Sequence, residues 1–257
     1  MSERFAAAVE HWQLSDPEPL DSGAVALVCA AGDAVLKLNP RGHPDDHQLA
    51  GEGDSLAFYE PTGAVARLLG QRDDGFTLLV ERLEPGTALD ESGLSWEERL
   101  ELLGNLAARL HARGAPPDTF ISMSDFCADW PAEVERPVAA GGDDVLVHAD
   151  LHGGNALLHG ADWKVIDPKG VRGDRHADVW ALIEPDAPPL PSDPGAAGRT
   201  AWSRVTRYAD AAGMDPGRAA AWTRARAHAE TSWITDPAWA ARLRALAAAL
   251  SAGERRR

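Results

Sequence analysis

Short apolar runs bounded by turn residues fill the first third of the chain, and apolar residues at helical spacing dominate most of the remainder. Ala24–Cys29 (AVALVC) and Ala34–Leu38 (AVLKL) flank Ala30-Ala31-Gly32-Asp33, which predicts two strands around a hairpin turn. Asp21-Ser22-Gly23 marks a second turn ahead of them. A helical stretch is expected near His47–Tyr59. Phe76–Leu83 (FTLLVERL) reads as a further strand, ended by Glu84-Pro85-Gly86. Ser95-Trp96-Glu97-Glu98 then has the form of a capping box. Behind it Leu100, Leu103, Leu106, Ala107 and Leu110 recur on one helical face, until Gly114 and Pro116-Pro117 stop the helix.

A compact β segment over Val145–Asp167 interrupts the helical part. A loop rich in Pro and Gly follows over Pro185–Gly198, and the Ala-rich, Trp-bearing stretch from about Ala201 to Leu250 is expected to be helical. No internal repeat is visible. The pattern predicts an α+β protein with a small β-rich lobe over residues 1–84 and a larger, mainly helical lobe over 85–257.

Composition adds limits rather than a function. At 257 residues the chain is long enough for a substantial core. Forty acidic residues against 25 Lys and Arg give a formal net charge of −15. Such a chain repels phosphate backbones, so nucleic acid is not an expected partner. A cleft of this sign would concentrate a cationic small molecule, although an acidic surface also simply keeps a protein soluble. Two cysteines, Cys29 and Cys127, form no disulfide framework. No apolar run approaches the roughly 20 residues that span a bilayer. The N-terminal MSERFAAAVEHWQ has no apolar signal-peptide segment, so a cytoplasmic protein is expected, with no membrane partner.

The chemistry concentrates in VLVHADLHGGNALLHGADWKVIDPKG, residues 145–170. An apolar run ends at His148, and Asp150 and Asn155 follow in a Gly-rich loop. Two short runs then flank His159-Gly160-Ala161-Asp162, a hairpin turn signal. A hairpin centred near Ala161 would set Asn155 opposite Asp167, with Cβ atoms about 5 Å apart. An amide oxygen and a carboxylate so placed can share Mg²⁺, which takes its other ligands from water and phosphate. Asp150 is left free to act as a base. A base with an Asn/Asp metal pair is what phosphoryl transfer requires. The competing reading, that these residues are turn formers, holds for any one of them better than for all three. Zinc at His148 and His152 would need a helix that Gly153-Gly154 opposes.

HADLHGGN resembles the catalytic loop of aminoglycoside-phosphotransferase-like kinases, small-molecule relatives of protein kinases. IDPKG, continuing as VRGDRHADVW, is similar to the branch of aminoglycoside 6-phosphotransferases and hydroxyurea phosphotransferases, which HWQLSD and AVLKL also fit. The resemblance implies a bilobal protein-kinase-like fold and transfer of the γ-phosphate of ATP or GTP, with Mg²⁺, to a hydroxyl of an antibiotic. By matching positions, Asp150 is the catalytic base and Asn155 and Asp167 are the metal ligands. Lys37 is the strand lysine for the nucleotide phosphates. Glu52 is assigned as its helix partner, with Glu60 and the acidic neighbours of Glu52 as alternatives. Ser22 and Gly23 stand where a turn would cover the phosphates, although no GxGxxG precedes Lys37. Glu81 to Leu83 is the implied hinge for the adenine.

Further assignments are looser. Glu184, Asp186, Glu230, Trp233 and Asp236 are candidate contacts for a cationic substrate. His148 is expected to support the loop by hydrogen bonds, His111 to pack or cap its helix, and Asp178 to brace the loop. Lys169, which most kinases lack, is read as either approaching a phosphate or holding the loop by an ion pair. Two rival functions remain: a metabolic kinase for a sugar, amino sugar or amino alcohol, and a pseudokinase interaction module.

Overall fold

The computed structural model describes residues 2–20, 26–43, 46–135, 137 and 144–254. Ser22 and Gly23 lie outside the described residues, as does the start of the first expected strand. Five antiparallel strands form the N-terminal sheet, in the order β1 (Glu18–Pro19), β2 (Leu27–Ala31), β3 (Ala34–Leu38), β5 (Thr77–Glu81) and β4 (Leu68–Arg72). β2 and β3 join through a two-residue turn, Gly32-Asp33, with Gly32 at φ +62°.

Period-two alternation sorts β3 between two environments. Ala34, Leu36 and Leu38 pack with Leu79 of β5 and with Ala8 of helix α1 (Ser2–His11). Lys37 therefore faces the other side, toward helix α2 (Asp46–Tyr59), which falls where a helix was expected. Helix α1 was not anticipated; its signal was Phe5, Ala8, Val9 and Trp12 at helical spacing, four residues that cover the sheet.

The second part begins with β6 (Pro85–Ala88), which pairs with β9 (Ala156–His159) rather than with the first sheet. Helix α3 (Trp96–His111) starts at the expected capping box. Ser95 Oγ accepts from Glu98 N at 3.3 Å, and Glu98 Oε2 accepts from Ser95 N at 2.8 Å. The predicted apolar face of α3 is buried. β7 (Ile121–Ser122) precedes a single turn, α4 (Met123–Phe126). β8 (Asp144–Val147) and β11 (Val171–Asp174) form a small sheet with β7.

The C-terminal third is three helices rather than one stretch: α5 (Pro194–Ala212), α6 (Pro216–Glu230) and α7 (Pro237–Glu254). Asp193 and Asp215 cap α5 and α6 with proline at the next position, and Gly213 ends α5 at φ +65°. The Pro/Gly-rich segment consequently enters helix at Pro194, before its expected end. No helix among the described residues is long and apolar enough to cross a membrane.

The hairpin register departs from expectation by one residue. β9 pairs with β10 (Asp162–Val165) with His159 opposite Asp162, across a two-residue turn of Gly160-Ala161. Gly160 at φ +62° supplies the positive φ that such a tight loop needs. Asn155 thus faces Ile166, whose N–H donates to the Asn155 carbonyl at 3.0 Å, and Asp167 lies one residue beyond.

Helix α3 packs closely against α5 at Gly104. A Cβ there would lie 2.8 Å from the Tyr208 carbonyl oxygen and 2.8 Å from Ala211 Cβ. Alanine would gain about 1 kcal/mol of helix propensity, but this overlap is with backbone and costs more, about 1–3 kcal/mol. Gly104→Ala is expected to lower the urea midpoint; a raised midpoint would show that the helices separate freely.

Candidate active site

Residues far apart in sequence converge on one charged cluster. Lys37 Nζ lies 2.7 Å from Glu52 Oε2 and 2.8 Å from Asp167 Oδ1. Glu52, not Glu60, is therefore the partner on α2, and Asn39 Nδ2 donates to the same oxygen at 3.2 Å. Burial alone would lower the Lys37 ammonium, but Glu52 and Asp167 outweigh it and hold it above its ordinary value. Burial likewise opposes ionisation of Asp167, and Lys37 and Lys169 overcome that and hold its carboxyl well below the usual range.

The loop carrying Asp150 is held by its own buried side chains. The neutral tautomer fits His148, whose Nδ1 accepts from Asp150 N at 3.2 Å while Nε2 faces the Ile166 carbonyl at 3.0 Å. Burial, the largest influence, lowers its affinity for a proton. Asp178 braces the same loop from beyond β11. It accepts from His148 N and Ala149 N, each at 3.2 Å, and pairs with His111 Nε2 at 3.1 Å. His111 is thus a partner of this brace. Ala149 sits at φ +65°, a left-handed conformation that alanine adopts only when its surroundings impose it.

Asn155 closes the short turn Gly153–Asn155. Its Nδ2 donates to the Asp150 carbonyl at 2.9 Å, which orients the amide so that Oδ1, free of hydrogen bonds from described residues, is the end available to a cation. Asp167, at φ +60°, leaves the β10 ladder beside it. Among the described residues no three His, Cys, Asp or Glu side chains are grouped to hold a metal alone. One amide oxygen and one carboxylate fit a hard cation that draws its other ligands from water and phosphate.

Lys169 satisfies the ion-pair reading. Its Nζ lies 3.4 Å from Asp150 Oδ2 and 3.4 Å from Asp167 Oδ1.

The candidate substrate residues divide. Glu184 is buried and accepts from Gly153 N at 3.1 Å. Asp186 is held by Arg99 at 2.7 Å. Asp236 caps the start of α7 through Ala238 N at 2.8 Å. Glu230 is buried, paired with Arg226 at 2.6 Å, and within electrostatic reach of Asp150. Trp233 is half exposed. At the end of β5, Glu81 binds Lys164 at 2.9 Å and Arg67 at 3.3 Å, and Leu83 is buried two residues beyond.

Two contributors escaped the sequence. Arg226 lies over Phe126, Trp130 and Trp180 at 4.8–5.8 Å and holds Glu230. Asp174 takes hydrogen bonds from His176, Arg218 and Trp222, which ties β11 to α6. Its position inside VRGDRHADVW was the available signal. Arg226 had none, because its aromatic partners lie 46 or more positions away.

The family model for aminoglycoside/hydroxyurea antibiotic resistance kinases matches residues 131–237. The chain is 30% identical over 256 residues to streptomycin 6-kinase of Streptomyces griseus, covering 89% of this chain and 81% of that protein. It is 31% identical over 268 residues to hydroxyurea phosphotransferase of Kitasatospora aureofaciens, covering 91% and 73%. In fold it resembles choline kinase LicA from Streptococcus pneumoniae, with a TM-score of 0.64 and 12% identity over 98% of this chain and 99% of that one. LicA has also been solved in complex with AMP.

Two outcomes follow from the loop geometry. Ala149→Gly removes a left-handed strain of roughly 1–2 kcal/mol against a glycine entropy cost of about 0.5–1 kcal/mol; it is expected to leave stability unchanged or slightly raised, and a clear fall in Tm would refute the strain. Burial, followed by the hydrogen bond and charge of Asp186, pushes the Glu184 carboxyl up to about 9 from an ordinary 4.5. The folded protein therefore keeps a proton that the unfolded chain releases, so this contribution is complete below pH 4.5 and is lost as pH rises to about 9. Arg99 and the Gly153 N–H face the pair and moderate the effect. Glu184→Gln is expected to flatten the decline of Tm between pH 6 and 9; an unaltered slope would rule this out.

Proposed function

The chain belongs to the aminoglycoside/hydroxyurea antibiotic resistance kinases, and from that membership we propose that it phosphorylates a hydroxyl of a streptomycin-type aminoglycoside or of hydroxyurea and so inactivates the drug. The donor is ATP or GTP with Mg²⁺. Residues 1–84 hold the nucleotide, and residues 85–257 supply the catalytic loop and the acceptor site. The observation that carries the reading is the convergence of Lys37, Glu52, Asp150, Asn155 and Asp167, drawn from four separate segments, on one charged cluster.

The roles follow from position and charge. Asp150 accepts the proton of the acceptor hydroxyl as its oxygen bonds to the γ-phosphorus. The bond from that phosphorus to the β–γ bridging oxygen breaks, and its electron pair stays on the departing diphosphate. Lys37, fixed by Glu52, binds nucleotide phosphate oxygens. Asn155 Oδ1 and Asp167 hold the metal, which supplies neutralisation of phosphate charge. The main chain near Glu81 and Leu83 receives the base. Trp233, half exposed, is best placed to meet a cationic acceptor, with Glu230, fixed by Arg226, lending negative charge from behind. Glu184, Asp186 and Asp236 act behind them, since their carboxyl groups are already engaged.

An ATP-consumption assay against streptomycin, other aminoglycosides, hydroxyurea, amino sugars and amino alcohols tests the substrate class. Turnover confined to amino sugars or amino alcohols would replace the antibiotic reading with a metabolic one. Asp150→Asn is expected to reduce kcat by about 10²–10⁴ with nucleotide affinity within a few-fold of wild type; near-normal turnover would remove Asp150 as base. Asp167→Asn is expected to abolish the Mg²⁺ dependence of ATP binding, measured by titration calorimetry.

A further inference from the structure

Lys169 is the one cation of the cluster to which this mechanism gives no task. Its ammonium is equidistant, at 3.4 Å, from the carboxylates of Asp150 and Asp167. It is not a loose surface side chain. Its own N–H donates to the His148 carbonyl at 2.9 Å, binding the segment to the catalytic loop. The next residue, Gly170, has φ +65°, and a Cβ there would lie 2.0 Å from Ser55 Oγ of α2. The backbone on both sides of the Lys169 side chain is thus anchored. Three carboxylates, Glu52, Asp150 and Asp167, meet two ammonium groups, Lys37 and Lys169. One formal negative charge remains for a cation to neutralise.

Building on the reaction proposed above, the phosphoryl group starts at the nucleotide beside Asp167 and ends on an oxygen beside Asp150. Its path runs between the two carboxylates that Lys169 bridges. We propose that Lys169 is a phosphate-contacting residue with two successive partners: the carboxylates of Asp150 and Asp167 in the nucleotide-free protein, and the oxygens of the phosphoryl group during transfer. Lys169 keeps its proton throughout and only donates hydrogen bonds. The proton of the acceptor goes to Asp150, which Lys169 releases as the phosphoryl group arrives. In protein kinases two metal ions neutralise the developing phosphate charge; here an ammonium supplies part of that charge from the chain itself. It also shields Asp167 from free metal until the nucleotide is bound, because a cation 3.4 Å away competes for the same oxygen.

Binding measurements test this without requiring a known acceptor. Lys169→Met is expected to bind Mn²⁺ alone about tenfold more tightly than wild type, in calorimetric titration of the nucleotide-free protein, because a competing unit charge is gone. The same variant is expected to keep MgADP affinity within about threefold while losing about 10²-fold in affinity for MgADP with aluminium fluoride, a mimic of the transferred group. Unchanged or weaker Mn²⁺ binding would overturn the resting position. An equal loss for MgADP and its aluminium fluoride complex would overturn phosphate contact, since that is the signature of a purely structural ion pair. Lys169→Gln, which retains a donor without the charge, gives the same readings should methionine impair folding. If wild type turns over none of the acceptors, the antibiotic reading fails while these titrations still decide the place of Lys169.

Discussion

An ammonium removed from water stays charged only if carboxylates replace its solvent, and the cleft is organised around that constraint at Lys37. Glu52 arrives from α2 and Asp167 from beyond β10, so one cation binds the sheet, the helix and the loop that ends the β9–β10 hairpin. Leaving any one member of such a buried group unpaired costs about 3–5 kcal/mol. That energy holds three segments in register before any nucleotide is present. Alternation along β3 makes it possible, because Leu36 and Leu38 anchor the strand on the α1 side while Lys37 points to the other.

The catalytic loop depends on a second buried carboxylate. Asp178 receives two backbone N–H groups and one imidazole, and Tyr208 of α5 donates to its carbonyl oxygen. Burial opposes its ionisation, but these donors, His111 foremost, hold the carboxyl below its ordinary range. The loop can then keep Ala149 in a left-handed conformation and present Asp150 toward Lys169 and Asp167. Stability and chemistry share residues here. His148 orients Asp150 through Nδ1 and ties the loop to Ile166 through Nε2, opposite Asn155.

The acidic side chains proposed to face the acceptor are largely engaged with neighbouring groups. Glu184 and Asp186 share one proton with Arg99 nearby, Asp236 caps a helix, and Glu230 is held by an arginine set among three aromatic rings. Fixing a carboxylate in this way reduces its reach and sharpens the position it offers. The net charge of −15 therefore overstates the number of acids that can meet a ligand.

Much of the molecule was legible from residues alone, wherever a local rule decides. The capping box at Ser95, the apolar face of α3 and the Gly32 turn all follow from neighbours in sequence, and each stands where expected. The hairpin at Gly160-Ala161 was found, but its register slipped by one residue, because the pairing depends on which two residues make the turn. Glu52 could be chosen but not separated from Glu60 until the helix was placed against β3. Helix breaks at Gly213 and Asp215 had signals in proline and glycine that the Ala-rich background masked. Fold class is readable from residue order alone, since strand alternation, helix periodicity and motif spacing are short-range. The charge partners emerge on folding: Lys37 with Glu52, Lys169 between Asp150 and Asp167, Arg226 with its aromatic rings, Asp178 with His111. Electrostatic pairing depends on distance in space, and chain folding brings together residues that sequence separation leaves unrelated.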